Sequence, residues 1–278
     1  TDAKVDDQGW TAEMKIPFSQ LRFGKAKEQI WGFNINRTIF RFQERSLWQR
    51  IPNKQSGFIS EAGELHGLID LVPQKQLEIQ PFTVLQYDNY PAEIGNPFRD
   101  GSDFKINGGL DAKIGITNDL TLDLTINPDF GQVEADPGAI ALDGFQIFFK
   151  EQRPFFVENK NIFDFEFANG SDNLFYSRRI GRNPHRDANL ADGEFSKEPI
   201  NSSILGAAKF SGKTQSGWSI GVLESVTSNE YAEIREVDGE TREEIVEPLT
   251  NFIVARAQKD FNKRNSFIGG NWRYNGGY

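Results

Sequence analysis

Four acids stand close together in the middle of this 278-residue chain, Asp129, Glu134, Asp136 and Asp143, and four arginines follow them, Arg153, Arg178, Arg179 and Arg182. Two carboxyl groups can divide the work of glycoside hydrolysis, one as general acid and the other as nucleophile or base, when their surroundings separate their pKa values. Glu134 and Asp136 are the candidates for that pair. Several acidic oxygens can also hold calcium, but the Gly and the terminal Glu that an EF-hand loop needs are not in place. A third role is mutual pairing, because confined charges need partners and a guanidinium fork suits a carboxylate. Pairing is the favoured role. Asp129 and the four arginines are also the candidate ligand-binding residues of this stretch, with Trp48 upstream. Phe residues at 145, 148, 149, 155, 156, 163, 165, 167 and 175 could stack on sugar rings, yet such a series is more often core. His66 and His185 lie too far apart in sequence to suggest a two-histidine metal site. A Ser177–His185–Asp172 triad lacks the nucleophile-elbow motif. No cofactor is expected.

Composition sets the frame for these residues. Hydrophobic content is 37%, with 24 Phe and 26 Gly, and mean hydropathy is -0.54. That mixture fits an all-β chain whose strands are polar on one face. No apolar run is long enough for a transmembrane helix, but a transmembrane barrel gives a far weaker signal per strand. The net charge of -9 and the lack of a basic patch exclude nucleic acid as an expected partner. Cysteine is absent, which removes disulfides and thiolate chemistry. A start at Thr1 without a leader and an end inside a strand-like run at Tyr278 suggest a fragment of a longer secreted chain.

Alternation locates the elements that must position the central stretch. Trp10, Ala12, Met14 and Ile16 share one face of a first strand, and Trp31, Phe33 and Ile35 one face of a second. Burial is therefore expected for Trp10 and Trp31, and exposure for Trp48. Residues 1–72 are expected to be the last strands of a β-sandwich. From residue 77 the pattern lengthens. Phe104, Ile106, Leu110, Ala112, Ile114 and Ile116 oppose Lys105, Asn107, Asp111, Lys113 and Thr117, and Leu120, Leu122, Leu124 and Ile126 oppose Thr121, Asp123, Thr125 and Asn127. Further strands are expected near residues 203–210, 218–227, 251–261 and 267–278. The connections alternate in length: 87–103 long, 118–119 short, 130–199 very long, 211–217 short, 228–250 long, 262–265 short. Short turns on one side and long loops on the other are the layout of an outer-membrane barrel, and ten-residue strands suit a tilted crossing. A soluble sandwich also alternates on one face. Loop parity favours residues 77–278 as part of an antiparallel transmembrane β-barrel, with 129–200 as a long loop or plug. Trp272, Tyr274 and Tyr278, on one face, fit an interfacial girdle or a core.

The runs Asn127-Pro-Asp-Phe-Gly-Gln-Val-Glu-Ala-Asp-Pro137, Phe148-Phe-Lys-Glu-Gln-Arg-Pro-Phe-Phe156 and Phe175-Tyr-Ser-Arg-Arg-Ile-Gly-Arg182 resemble a family of bacterial envelope proteins. That family joins a module similar to carbohydrate-binding module family 9 to a C-terminal outer-membrane β-barrel domain of unknown function. Gly9-Trp-Thr-Ala-Glu-Met-Lys-Ile-Pro-Phe18 and Trp31-Gly-Phe-Asn-Ile-Asn-Arg37 resemble the tail of the sugar-binding-like module. The resemblance implies a periplasmic sandwich, an outer-membrane barrel in contact with lipid, and a role with glycans. Members are sometimes described as membrane-associated hydrolases, without catalytic residues that map onto this chain. Three functions follow as expectations: an envelope barrel that binds or passes a ligand such as a glycan, a membrane-associated glycan hydrolase, and a soluble all-β binding protein.

Overall fold

The computed structural model describes residues 1–7, 9–21, 23–52, 61–73, 76–128, 150–164, 166–167, 172–261 and 266–277. The chain is all-β and divides into two compact units, Thr1–Gln74 and Lys75–Tyr278.

The first unit contains β1 (Asp2–Asp6), β2 (Gly9–Glu13), β3 (Glu28–Phe33), β4 (Asn36–Ile39), β5 (Glu44–Leu47) and β6 (Gly63–Ile69). They form three separate two-stranded antiparallel ladders, β1–β2, β3–β6 and β4–β5. A sandwich needs two sheets facing each other, and the described residues of this unit do not supply them. Phe23 is its one buried hydrophobic side chain among them. It packs with Phe18 and Trp31, at 5.8 and 5.2 Å between ring centres. Trp10 corrects the expectation of burial: among the described residues β1 is its only ladder neighbour, and it is exposed with the Arg37 guanidinium 5.6 Å from its ring.

The second unit is built on a seven-stranded antiparallel meander. Its strands are β7 (Leu77–Asn89), β8 (Ser102–Gly115), β9 (Leu120–Ile126), β13 (Ile204–Lys213), β14 (Trp218–Thr227), β17 (Thr250–Phe261) and β18 (Ser266–Gly277), paired in that order. The sheet is open, with β7 and β18 at its edges; no closed barrel forms among the described residues. Between β9 and β13 lie α1 (Pro154–Val157), α2 (Lys160–Phe163), β10 (Glu166–Phe167), β11 (Asp172–Asn173) and β12 (Phe195–Lys197). Between β14 and β17 lie β15 (Glu230–Arg235) and β16 (Thr241–Glu247), which pair as a hairpin and add β12 at its edge. Sequence alone suggested only a long connection here. Ala232, Ile234 and Val246 form the buried side of this small sheet.

Register fixes which side chains share a face. Lys113 pairs with Asp123, Asp123 with Lys209, Lys209 with Leu223, Leu223 with Val254, and Val254 with Arg273. In the central strands β9, β13 and β14 the alternation is inverted relative to a water-soluble sheet. On β9 the polar residues Thr121, Asp123 and Thr125 are buried, at 1, 5 and 2% exposure, while the intervening leucines are more open. The apolar face carries Leu77, Ile79, Leu85, Tyr87, Phe104, Ile106, Val222, Ile268, Trp272 and Tyr274, all exposed. The polar face lies under the insert at residues 150–182.

Candidate functional site

The insert is short of regular structure because its sequence breaks helices soon after starting them. Pro154 opens α1 at the position where a missing N–H costs nothing, and Asn159, in the left-handed region at φ 53°, separates α1 from α2. Each helix is a single turn, so its carbonyls have few partners within it. The sheet supplies them. Lys209 on β13 donates to the Phe155 carbonyl and, at 3.0 Å, to the Glu158 carbonyl, at the end of α1. Arg256 on β17 donates to the Ile162 carbonyl at 3.0 Å and to that of Asp164, at the end of α2. Arg273 on β18 reaches the Leu174 carbonyl at 3.0 Å. Cations at helix C-termini meet carbonyls of negative partial charge. Lys113 on β8 forms an ion pair with the Glu158 carboxylate, and Asn159 donates to Ser211 Oγ at 2.9 Å.

An apolar cluster completes the docking. Phe156 and Phe163 of the insert are buried with Ile180, Ile204, Leu223 and Val254, and Phe155, Ile162, Phe175 and Phe252 pack around them. Gly221 on β14 makes room: a Cβ there would stand 2.8 Å from both Ile162 Cγ2 and Phe163 Cζ. The Phe residues of the insert whose side chains are described thus serve as packing.

At the centre of the insert is a buried charge hub. Arg153 donates through Nε to Glu151 Oε1 at 2.8 Å and through one terminal nitrogen to Oε2 at 2.7 Å. It also donates to the carbonyls of Ile180, at 2.7 Å, and Ser177, at 2.8 Å. The Ser177 hydroxyl donates to Glu151 Oε2 at 2.5 Å, and the guanidinium lies 4.3 Å from the centre of the Phe156 ring. Burial alone pushes the Glu151 carboxyl up, but the Arg153 and Ser177 hydrogen bonds and the Arg153 charge outweigh it. Its pKa falls below the ordinary 4.5. A cavity of about 50 Å³ lies between this hub and the sheet, bordered by Glu151, Ser177, Tyr176, Lys160 and Lys209. That is room for one or two water molecules, far below a drug-sized ligand site.

Residues 73–272 match the model of a family described as Domain of unknown function (DUF5916). The chain belongs to this family. No curated protein and no solved structure matches it. The domain-of-unknown-function part of the expected resemblance therefore stands for the second unit.

In this DUF5916 chain the candidate residues scatter. Glu134, Asp136 and Asp129, with Asp143, lie outside the described residues. Arg153 is held by Glu151, an acid two positions away whose pairing sequence reasoning did not anticipate. The Glu-x-Arg spacing just before Pro154, in extended chain that puts both side chains on one side, was the available signal. Arg178 donates to the Lys150 carbonyl at 3.1 Å. Arg179 closes the short turn over Ser177–Arg179 through its amide, 3.1 Å from the Tyr176 carbonyl. The Arg182 carbonyl accepts from the Ser202 amide and hydroxyl, both at 2.8 Å, fastening the end of the insert to the start of β13. Trp48 is 62% exposed, edge-on to Phe33 at 5.8 Å, and covers Gly63. Ser177 and His185 take different partners: His185 Nδ1 lies 2.5 Å from Glu247. Among the described residues no group of three or more His, Cys, Asp or Glu is arranged to hold a metal ion. No described helix is long and apolar enough to cross a membrane, which says nothing of crossing by strands.

Proposed function

We propose that the second unit is the wall of an outer-membrane β-barrel with an inward-folded plug, and that the protein binds or passes a ligand, such as a glycan, at the bacterial envelope. The inverted alternation of the central strands carries this: on β9, β13 and β14 polar side chains such as Asp123, Lys209 and Ser225 are covered on one face, while the other face of the meander exposes apolar ones. In water the exposed leucines, isoleucines and aromatics would be costly. An apolar patch of this extent calls for a partner, and lipid is the partner that needs no specific shape. From Leu77 to Tyr87 the apolar face of β7 spans eleven residues, whose ten rises cover about 34 Å of strand, or about 26 Å of depth at a tilt of ~40°, against an apolar band of about 25 Å in such barrels.

Other features support the same function. At the turn end of the sheet, Trp218 and Phe261 are exposed. There Lys259 lies 5.4 Å from the Trp218 ring and donates to the Ser216 carbonyl, the posture of an interfacial snorkelling lysine. At the opposite end Tyr87 pairs with Phe104; midway along β18, Trp272 stacks on Tyr274 at 6.2 Å. The Trp218–Phe261 end and the Tyr87–Phe104 end are where interfacial aromatics are expected. The turn at 116–119 and the Thr214–Gly217 turn are on one side, and the three excursions, two of them bearing the β12–β15–β16 sheet, are on the other. Further strands between β18 and β7 would close the sheet and remove both edges. For the first unit, a periplasmic location and glycan contact rest on the sequence resemblance and on the exposed Trp48.

The test is fractionation of the full-length protein followed by unheated and boiled electrophoresis. Recovery in the outer-membrane fraction with a heat-modifiable shift is expected. Release into the soluble fraction without detergent would sink the proposal and leave a soluble β-protein. Hydrolysis by Glu134 and Asp136, which lie outside the described residues, stays the second reading.

A further inference from the structure

Lys209 is the side chain that the sheet and the insert share most completely. It is 1% exposed. Its ammonium donates to the Phe155 carbonyl and to the Glu158 carbonyl at 3.0 Å. It lies 3.5 Å from Asp123 Oδ2 and 4.7 Å from the centre of the Phe155 ring. Two carbonyls, a carboxylate and an aromatic face are the set that recognises an ammonium ion of any origin. A guanidinium would not fit the same way, since its donors lie fixed in a plane.

Asp123 provides a second, independent observation. It is buried on β9, and neither of its carboxylate oxygens accepts a hydrogen bond among the described residues. Buried polar atoms are normally satisfied. Here the nearest positive charge is Lys209 at 3.5 Å, while the neighbouring Lys113 is engaged by Glu158. The carboxylate therefore keeps hydrogen-bonding capacity beside the lysine that occupies the cage. The 50 Å³ cavity borders Lys209 on the insert side.

We propose that the Phe155 and Glu158 carbonyls, the Phe155 ring and Asp123 form a monovalent-cation site, that the Lys209 ammonium is its tethered occupant, and that occupancy of this site decides whether the insert lies on the sheet. Once the tether is cut, a free cation of the same chemistry, ammonium or methylammonium, takes the place. The proposal depends on the docking of the insert and not on the lipid around the sheet. A protein without heat-modifiable migration would therefore overturn the barrel and leave the cation site standing.

The experiment uses the full chain folded in detergent, with hydrogen exchange of the amides of residues 155–164 as readout. Hydrogen bonds to charged groups contribute enough that Lys209→Ala and Lys209→Met are each expected to speed exchange about tenfold or more. Methylammonium chloride restores protection to Lys209→Ala in a saturable way. Tetramethylammonium, which has no N–H to donate, does not. Neither salt restores Lys209→Met, whose side chain fills the space. Unchanged exchange in Lys209→Met overturns the proposal, and this variant carries the test if Lys209→Ala does not fold. Loss of protection in a folded Lys209→Ala that methylammonium leaves unreversed also overturns it.

Discussion

Gly221→Val isolates the packing of the insert on the sheet. Gly221 is not in the left-handed region, so a β-branched residue suits its strand, and the effect must come from what the new side chain meets. Its Cβ alone would stand 2.8 Å from Phe163 Cζ and from Ile162 Cγ2, inside contact distance, before the two methyls are counted. Overpacking of this kind costs about 1–3 kcal/mol, and it falls on the docked insert rather than on the ladder, because the backbone pairs of β14 are untouched. At about 1.4 kcal/mol per decade, the fraction of time the insert is undocked rises about 5- to 150-fold. Phe163→Ala attacks the same contact from the other side, with an expected cost of about 3–5 kcal/mol for emptying a buried aromatic site. In the double variant the valine methyls enter part of the space the ring vacated, so the two costs should sum to more than the measured total by about 1 kcal/mol. Native-state hydrogen exchange of amides in α1 and α2, with exchange in β14 as an internal control, reads all three. Strict additivity, or Gly221→Val with wild-type protection, would refute the docking geometry.

Four further outcomes follow. Arg153→Met leaves the Glu151 carboxylate buried without its partner and should loosen the insert by about 3–5 kcal/mol, whereas adding Glu151→Gln should recover much of that; hydrogen exchange again measures it. Because the Glu151 pKa is depressed in the fold, its contribution is fully present above the ordinary 4.5 and is lost as pH falls through the lower folded value, so Glu151→Gln should flatten the acid limb of insert protection, and an unchanged limb would assign it to other carboxylates. If the first unit contacts glycans, Trp48→Ala should abolish any quench of tryptophan fluorescence by soluble oligosaccharides without shifting the thermal transition, since the indole is exposed; a persisting quench would remove Trp48. Joint replacement of Glu134 and Asp136 by Ala is expected to leave any glycan-cleaving activity of the folded protein unaltered, and its loss would restore them as catalysts.

The meander was legible because its period is strong: the face shared by Leu120, Leu122 and Leu124 and the face shared by Thr121, Asp123 and Thr125 needed only alternation, and loop length ordered the strands. What alternation cannot say is which face is covered. Nothing in the period marks Lys113, Lys209 and Arg273 as the side chains that hold the insert. One element escaped: the β15–β16 hairpin was concealed by its acids, although the buried Ala232 and Ile234 alternate with Tyr231 and Glu233. For the first unit only the last strands of a sandwich were expected, and its described residues hold three two-stranded ladders. The hub at Glu151 and Arg153 was half visible: the arginine was singled out, but its partner was sought among acids farther away.

Single-cysteine scanning of β9 reports which of its faces meets lipid, and these 278 residues hold no cysteine of their own. Spin labels at positions 120–126 of the full-length protein in bilayers would be probed with oxygen and with a water-soluble nickel complex. A period of two is expected, with oxygen accessibility high at 120, 122, 124 and 126, and both relaxers low at 121, 123 and 125. Nickel accessibility at the even positions, or protection of those positions from both relaxers, would contradict it.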